Sequence, residues 1–168
     1  MKEYSPQQIE QTKLFFESRS FPVEHFQLDS LEVSYFVIPQ ALNPGLQDFA
    51  LRMTNTNPDT KEVFGIFGVS DSVPVEIRPY WAAHEIVEFT EIGISTNGRC
   101  KSAEKEVLSL MPDGLREQYI IRRIIFFANL IDFFRQEIQK NPDSYSQDDV
   151  SQAEATLNYL NQTVGNEQ

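Results

Sequence analysis

One predicted helix carries side chains that could bind a metal ion or transfer protons. His84, Glu85 and Glu88 lie within residues 80–91, a segment with the apolar spacing of a helix. At about 100° per residue, His84, Glu88 and Glu91 fall within one narrow stripe, and Glu85 lies beside it. Imidazole nitrogens and carboxylate oxygens bind divalent transition metals, and a neighbouring carboxylate can act as a general base. The stripe therefore indicates a candidate site, with the charged surface of a solvated helix as the alternative.

Trp81 favours a covered site over a solvated surface. Together with Ile92, it projects close to the acidic stripe, while the opposite face of the helix is apolar. We expect the third or fourth helix to cover this indole, because burying a large aromatic side chain is favourable. The stripe would then form the wall of a partly apolar cleft, in which carboxyl pKa values rise and suit acid–base chemistry. Trp81 is accordingly a predicted binding residue of that cleft.

The segment His84-Glu85-Ile86-Val87-Glu88 resembles the H-E-x-x-H helix of the zincin metallopeptidases, with Glu88 where that family has its second histidine. The resemblance implies that His84 and Glu88 are metal ligands and that Glu85 is the general base for metal-bound water. It also implies a divalent transition metal such as zinc. Because a mixed histidine and carboxylate set suits zinc, manganese or iron, the metal itself stays open.

The pattern leaves the third ligand of such a site open. Glu91 lies about 10 Å along the helix axis from His84, too far for zinc bonds of about 2 Å to bridge. Glu104 and Glu106, on the next predicted helix, are better placed.

Two arginines suggest a different use for the carboxylates. Arg122 and Arg123 lie in a very apolar predicted helix, where either one could pair with Glu85 or Glu88. Such an ion pair would be structural, or Arg122 would serve a binding site.

The single cysteine is a further candidate for a binding or reactive residue. Cys100 lies between Arg99 and Lys101 at a predicted helix start, and both cations and a helix N-terminus lower a thiol pKa. The alternative is a small buried apolar side chain without reactivity.

The surrounding sequence predicts an α+β fold: an N-terminal helix, a four-stranded mainly antiparallel sheet and a layer of about four helices. Ser5 and Gln8 form a predicted capping box for the first helix, which should run to about Ser18. Strands are predicted over 22–28, 31–38, 48–54 and 63–69, and short connections favour an antiparallel meander. The last strand is apolar on both faces, which indicates a central, doubly covered position. Further helices are predicted over 78–92, 101–111, 115–140 and 147–162.

The long helix has an unusually wide apolar arc. Its seam consists of Ile120, Ile124, Phe127, Ile131, Phe134 and Ile138, and a second set including Ile121 and Ile125 widens it. This arc predicts either a central core helix or, in part, a homodimer or partner interface. We predict one domain over residues 1–140, with 141–168 forming an acidic C-terminal helix that packs on it and frays at its end.

Composition and charge argue against several classes of partner. The 168-residue chain has 14 Lys+Arg against 25 Asp+Glu, a formal net charge of -11. Because phosphate binding needs clustered cations, we expect no nucleic acid and no membrane partner. A single cysteine, no spanning apolar run and no apolar stretch near the N-terminus predict a soluble, cytoplasmic protein.

Two functions stay open on the sequence. The first is a non-enzymatic binding or regulatory domain, with a protein partner or a second copy docking near Trp81 or on the long helix. The second is a zincin-like metal-dependent hydrolase, or an inactive relative of one, built on His84, Glu85 and Glu88.

Overall fold

The computed structural model describes residues 3–93 and 95–166 and shows one sheet with five helices around it. The helices are α1 (Pro6–Ser18), α2 (Arg78–Ile86), α3 (Arg99–Leu110), α4 (Asp113–Lys140) and α5 (Gln147–Asn166). The strands are β1 (Val23–Leu28), β2 (Leu31–Ile38), β3 (Ala50–Thr56) and β4 (Val63–Ser70). The predicted α+β architecture is therefore confirmed.

Helix α1 begins with the predicted capping box. The backbone N–H of Gln8 donates to Ser5 Oγ at 3.2 Å, and the backbone N–H of Ser5 donates to Gln8 Oε1 at 2.9 Å. Both bonds satisfy N–H groups that have no partner inside the helix. The helix also ends at Ser18, as the sequence predicts.

The order of strands in the sheet is β1-β2-β4-β3, so the predicted meander is wrong. Strands β2 and β4 pair in parallel, whereas the other two pairings are antiparallel. Residues 39–49 carry the chain past the position of β4 to the edge of the sheet. The Gln40 side chain holds this crossing segment, because its amide donates to the carbonyls of Asn43 and Leu46 and accepts from the backbone N–H of Asp48.

Strand β4 has the predicted central position, but only its second half is covered on both faces. Gly68, Val69 and Ser70 are buried, whereas Phe64 near the start of the strand is 40% exposed. The prediction of a doubly covered strand therefore holds for the end that lies next to the helical layer.

The helical layer packs on the sheet through α2, and α4 and α5 lie beyond it. Ile120, Phe127 and Ile131 of α4 are buried, as a core helix requires, while Ile121 and Ile125 are 51% and 56% exposed. The wide arc of α4 is thus core for most of its width.

Helix α5 packs against α3 and α4 with its apolar face. Val150, Ala153 and Leu160 are buried in this contact. The helix continues past the predicted end near Gln162 to Asn166, and the rest of the predicted frayed end, Glu167 and Gln168, lies outside the described residues. None of the described helices is both long enough and apolar enough to cross a membrane.

Candidate metal centre

His84 and Glu88 of the acidic stripe lie inside the protein, whereas Glu91 is exposed, so the alternative of a solvated helix surface is wrong for the first two residues. His84 is 1% exposed and Glu88 is 5% exposed. Residues Val87–Ile92 continue α2 as a π-helical turn, in which the N–H of Gly93 donates to the carbonyl of Glu88 at 3.0 Å. Such wide turns are rare and occur frequently at functional sites. Glu88 therefore lies in the irregular part of this helix, and His84 lies in the regular turn just before it.

Both ring nitrogens of His84 face carboxylates. Its Nε2 lies 3.1 Å from Glu88 Oε2, one turn further along the same helix. Its Nδ1 lies 2.8 Å from Oε2 of Glu104, which comes from α3. The ring also meets the edge of Phe127, with 6.1 Å between the ring centroids. The imidazole is therefore fixed in orientation by two carboxylates and one aromatic ring.

Arg123 holds Glu104 in place from the far side. Its Nη2 lies 2.8 Å from Glu104 Oε2, and both side chains are 0% exposed. The guanidinium stacks on the rings of Trp81 and Phe127 at 4.5 Å and 4.6 Å. Arg123, Glu104 and His84 thus form a continuous chain of buried charged contacts.

The predicted pairing of these arginines with Glu85 or Glu88 is wrong. Arg123 pairs with Glu104, and Arg122 pairs with both carboxylate oxygens of Asp48 at 2.8 Å and 3.1 Å. Neighbouring residues on a helix point about 100° apart, so the two guanidinium groups leave α4 on different sides. Arg122 therefore fixes the segment before β3 and does not line the cavity at His84.

Trp81 is covered as predicted, and its cover comes from α4. Its indole is 0% exposed and packs edge-on against Tyr119 and Phe126. The Nε1–H group donates to the carbonyl of Asp48 at 2.9 Å. Because the indole is fully buried and does not line the cavity, it supports the site from behind and does not offer a surface to a ligand.

Cys100 supplies the third donor atom beside His84. Its Sγ lies 3.6 Å from His84 Nε2, on the same side of the ring as Glu88. One atom each from His84, Glu88 and Cys100 lies within 4.8 Å of the other two, and all three residues are buried. In a tetrahedral zinc site, bonds of about 2.0 Å to N or O and about 2.3 Å to S place ligand atoms about 3.3–3.6 Å apart. The two distances from His84 Nε2, 3.1 Å to Glu88 and 3.6 Å to Cys100, are therefore close to those of a metal centre.

The glutamates predicted as third ligands occupy other positions. Glu104 contacts Nδ1, the nitrogen of His84 that faces away from Cys100. Glu106 interacts with Glu91, and both are outside the cluster. Cys100 and Glu104 both contact His84, and the sequence contains a signal for this arrangement. The two residues are four positions apart, which puts them on one face of a helix. The same spacing relates His84 and Glu88 on α2.

Arg99 and helix α5 close the other side of the cluster. Arg99 Nε lies 3.2 Å from Glu88 Oε1, and its Nη1 and Nη2 lie 3.2 Å and 3.6 Å from Asp148 and Asp149. The side chain of Gln152 accepts the backbone N–H of Cys100 at 3.3 Å. Residues of α5 thereby position both Arg99 and the start of α3.

Electrostatics in the cluster favour the protonated, positively charged form of His84. Burial and Arg123 oppose protonation of His84, but Glu104 and Cys100 outweigh them and raise its pKa well above the ordinary value. Burial alone would raise the pKa of Glu104, yet Arg123 and His84 lower it to about 2. Burial and the charge of Glu88 raise the pKa of the Cys100 thiol, so the predicted lowering is wrong. Cys100 does lie at a helix start, but burial has the larger effect on the pKa of its thiol.

A cavity of about 210 Å³ adjoins the cluster, and His84, Glu88, Cys100 and Arg99 contribute to its wall. Glu85 also lines this cavity and is only partly buried. Burial and the neighbouring Glu88 raise the pKa of Glu85. A carboxyl group with a raised pKa beside a cavity is suited to general acid–base chemistry.

We compared the chain with protein-family models, with curated proteins and with solved structures, and none of the three comparisons gives a match. The resemblance of residues 84–88 to the zincin helix therefore stays local. The assignment of the site depends on the geometry of its side chains.

Proposed function

We propose that the protein is a metal-dependent hydrolase whose zinc ion is bound by His84 Nε2, a carboxylate oxygen of Glu88 and the Cys100 thiolate. The observation that carries the proposal is the convergence of these three buried donor atoms within 4.8 Å at the wall of a cavity. Catalytic zinc sites commonly have three protein ligands and keep the fourth position for water or substrate. The cavity that His84, Glu88 and Cys100 help to line would supply the space for that fourth ligand.

The donor set and its surroundings favour zinc over harder metals. Thiolate and imidazole are soft or borderline ligands, whereas magnesium and calcium prefer oxygen. Glu104 lies 2.8 Å from His84 Nδ1, although the two atoms are not aligned for a hydrogen bond. Histidine ligands of zinc are commonly oriented by a carboxylate at this second nitrogen. Metal binding would release protons from Nε2 and from the thiol, so the apparent affinity should rise with pH.

Glu85 is the proposed general base. A metal ion in such a site lowers the pKa of the water that it binds and polarises a carbonyl group. Glu85 faces the same cavity as the three donors and is not needed as a ligand. The roles agree with the zincin resemblance for His84, Glu85 and Glu88. They differ from it because the third ligand, Cys100, comes from the following helix.

One observation favours a second candidate, a cysteine nucleophile. Cys100 Sγ, the two nitrogens of His84 and Glu104 follow one another at 3.6 Å and 2.8 Å, the order of nucleophile, base and orienting acid. Glu88 weakens this candidate, because its carboxylate lies 3.1 Å from Nε2 and raises the thiol pKa. Either use of Cys100 needs a reduced thiol, which supports the proposal of a cytoplasmic location.

Elemental analysis of protein purified without chelator tests the metal centre. We expect about one equivalent of zinc in the wild type and none in His84→Ala. His25→Ala is the matched control, because His25 is the other of the chain's two histidines. It lies on β1 and is hydrogen-bonded to Ser34. This variant should retain the metal. No metal in the wild type, even after incubation with zinc and manganese, would refute the proposal.

Activity assays separate the two chemistries and the non-enzymatic alternative. On ester and amide substrates, Glu85→Gln should keep the metal and lose activity, and a chelator should abolish wild-type activity. A cysteine nucleophile predicts the opposite: activity that survives the chelator and is lost on alkylation of Cys100. Metal binding without any hydrolysis would favour a binding or regulatory domain.

A further inference from the structure

The cavity beside the candidate metal centre has an apolar side made largely of aromatic rings. Helix α4 and the segment before α5 supply Phe126, Phe127, Leu130, Phe133, Phe134 and Tyr145. Tyr145 packs on Phe134 with 4.6 Å between ring centroids, and Phe126 packs on Phe127 with 5.4 Å. The volume of about 210 Å³ is below the 300–1,000 Å³ of sites for drug-sized molecules. The apolar side therefore suits one aromatic or branched aliphatic group.

Arg52, on β3, lines the same cavity and differs from four other buried or half-buried arginines in its ion pairing. Arg78, Arg99, Arg122 and Arg123 each pair with a carboxylate. Within the described residues, no carboxylate oxygen lies within 4.0 Å of an Arg52 nitrogen. Its guanidinium is half-buried and stacks on Phe89 at 4.1 Å.

The residues that the structure describes use little of the hydrogen-bonding capacity of Arg52. Its Nη1 donates to Thr54 Oγ1 at 2.8 Å, whereas a guanidinium has five N–H donors in a planar fork. Burial lowers the pKa of Arg52, and the charges of Glu85 and Glu88 oppose that lowering. A guanidinium that is partly withdrawn from water gains strongly from a bidentate carboxylate.

We propose that this cavity binds the carboxylate of a small amide substrate through Arg52 and places the substrate's apolar side chain among the aromatic rings of α4. This inference rests on the proposed hydrolase and names its substrate class: N-acyl amino acids or short peptides that end in an apolar residue. The carboxylate on Arg52 and the side chain on the rings together fix the scissile amide toward His84, Glu85 and Glu88.

The reaction of such a substrate is amide hydrolysis with water as the only co-reactant. The water oxygen forms a bond to the acyl carbon, and Glu85 takes the proton that the water loses. The carbon–nitrogen bond then breaks, and the leaving nitrogen receives that proton from Glu85. The products are a carboxylic acid and a free amino acid.

The test measures binding without turnover, using 3-phenylpropanoate and its neutral analogue 3-phenylpropanamide. Isothermal titration calorimetry should show that the wild type binds the carboxylate at least about tenfold more tightly, because hydrogen bonds between charged groups are strong. Arg52→Gln should bind both compounds equally. Arg52→Lys, which keeps the charge and has a better chance of folding, should recover part of the preference. Arg135→Gln is the matched control, because Arg135 is an exposed surface arginine, and it should behave as the wild type.

Metal analysis and chelator treatment distinguish the failure of this inference from the failure of the proposed function. A carboxylate preference that is lost on chelation but kept in Arg52→Gln would mean that the metal binds the carboxylate, and would overturn the inference alone. Equal binding of the two compounds by the wild type, or no saturable binding, would also overturn it. A preference that depends on Arg52, in a wild type that binds no metal even after incubation with zinc and manganese, would support the carboxylate site and refute the metal centre.

Discussion

The buried pair of Glu104 and Arg123 allows a quantitative test of the structure around His84. Both side chains are 0% exposed, and Arg123 Nη2 lies 2.8 Å from Glu104 Oε2. Removing Glu104 leaves the charge of Arg123 buried and unpaired, and removing Arg123 leaves Glu104 with the contact to His84 alone. Breaking a buried pair in this way costs about 3–5 kcal/mol. We therefore expect Glu104→Gln and Arg123→Met each to lower the free energy of unfolding by that amount. For a domain with a total of about 5–15 kcal/mol, either loss is large.

The double variant gives the coupling between the two side chains. In Glu104→Gln/Arg123→Met, the second substitution removes the charge that the first one left unpaired. We expect the double variant to be more stable than the sum of the two losses predicts, by at least about 1.5 kcal/mol. Part of the Arg123 loss should persist, because its stacking on Trp81 at 4.5 Å is lost in both backgrounds.

Urea unfolding followed by circular dichroism, in buffer with a chelator, measures these values without a contribution from bound metal. Arg135 and Glu154 form the matched control, since this pair also joins α4 to another helix, at 2.6 Å, but its side chains are 55% and 43% exposed. Arg135→Met and Glu154→Gln should each change stability by less than about 1 kcal/mol. Additive losses at the buried pair, within about 0.5 kcal/mol, would refute the reasoning.

Three further substitutions test other parts of the fold. Trp81→Phe removes the indole N–H that donates to the Asp48 carbonyl at 2.9 Å and should cost about 2–3 kcal/mol in urea unfolding. Burial and Glu24 raise the pKa of Tyr35, so its contribution to stability is complete below about pH 10 and is lost as the pH rises further. Between pH 8 and 11, the melting temperature of Tyr35→Phe should accordingly fall less than that of the wild type. The difference should develop above about pH 10, the ordinary pKa of tyrosine. Ser5→Ala removes the capping box of α1 and should cost about 1 kcal/mol, an effect that an unchanged melting temperature would contradict.

The helices and strands could be predicted because their signals are local. The capping residues Ser5 and Gln8, and the apolar spacing of α4, each act within a few turns of one helix. The order of strands could not be predicted in the same way. The parallel pairing of β2 with β4 depends on residues 39–49 crossing to the edge of the sheet. The half-buried side chain of Gln40 and the pairing of Arg122 with Asp48 hold that segment. No periodicity in the strands themselves encodes the crossing.

The candidate site was predictable only to the extent that one helix carries it. The spacing of His84 and Glu88 puts both on one face, and the structure places their side chains 3.1 Å apart. Cys100 and Glu104 reach His84 from α3, which requires knowledge of how two helices pack. The direction of the Cys100 pKa shift was wrong for the same reason. Flanking cations are visible in a sequence, but burial and the approach of Glu88 are tertiary features.

The concentration of charge around His84 is difficult to explain as a device for stability. Glu88, Glu104, Arg99 and Arg123 are buried within a protein that already has a continuous apolar core. Burying ion pairs is costly, and well-packed apolar side chains of similar size are often equally stable or more so. The stability of the fold therefore does not account for these charges. What they do achieve is to fix both nitrogens of one imidazole, direct Nε2 at a thiol and a carboxylate, and place that group at the wall of a cavity. An arrangement that costs stability and orients donor atoms toward open space is typical of a site that binds a ligand.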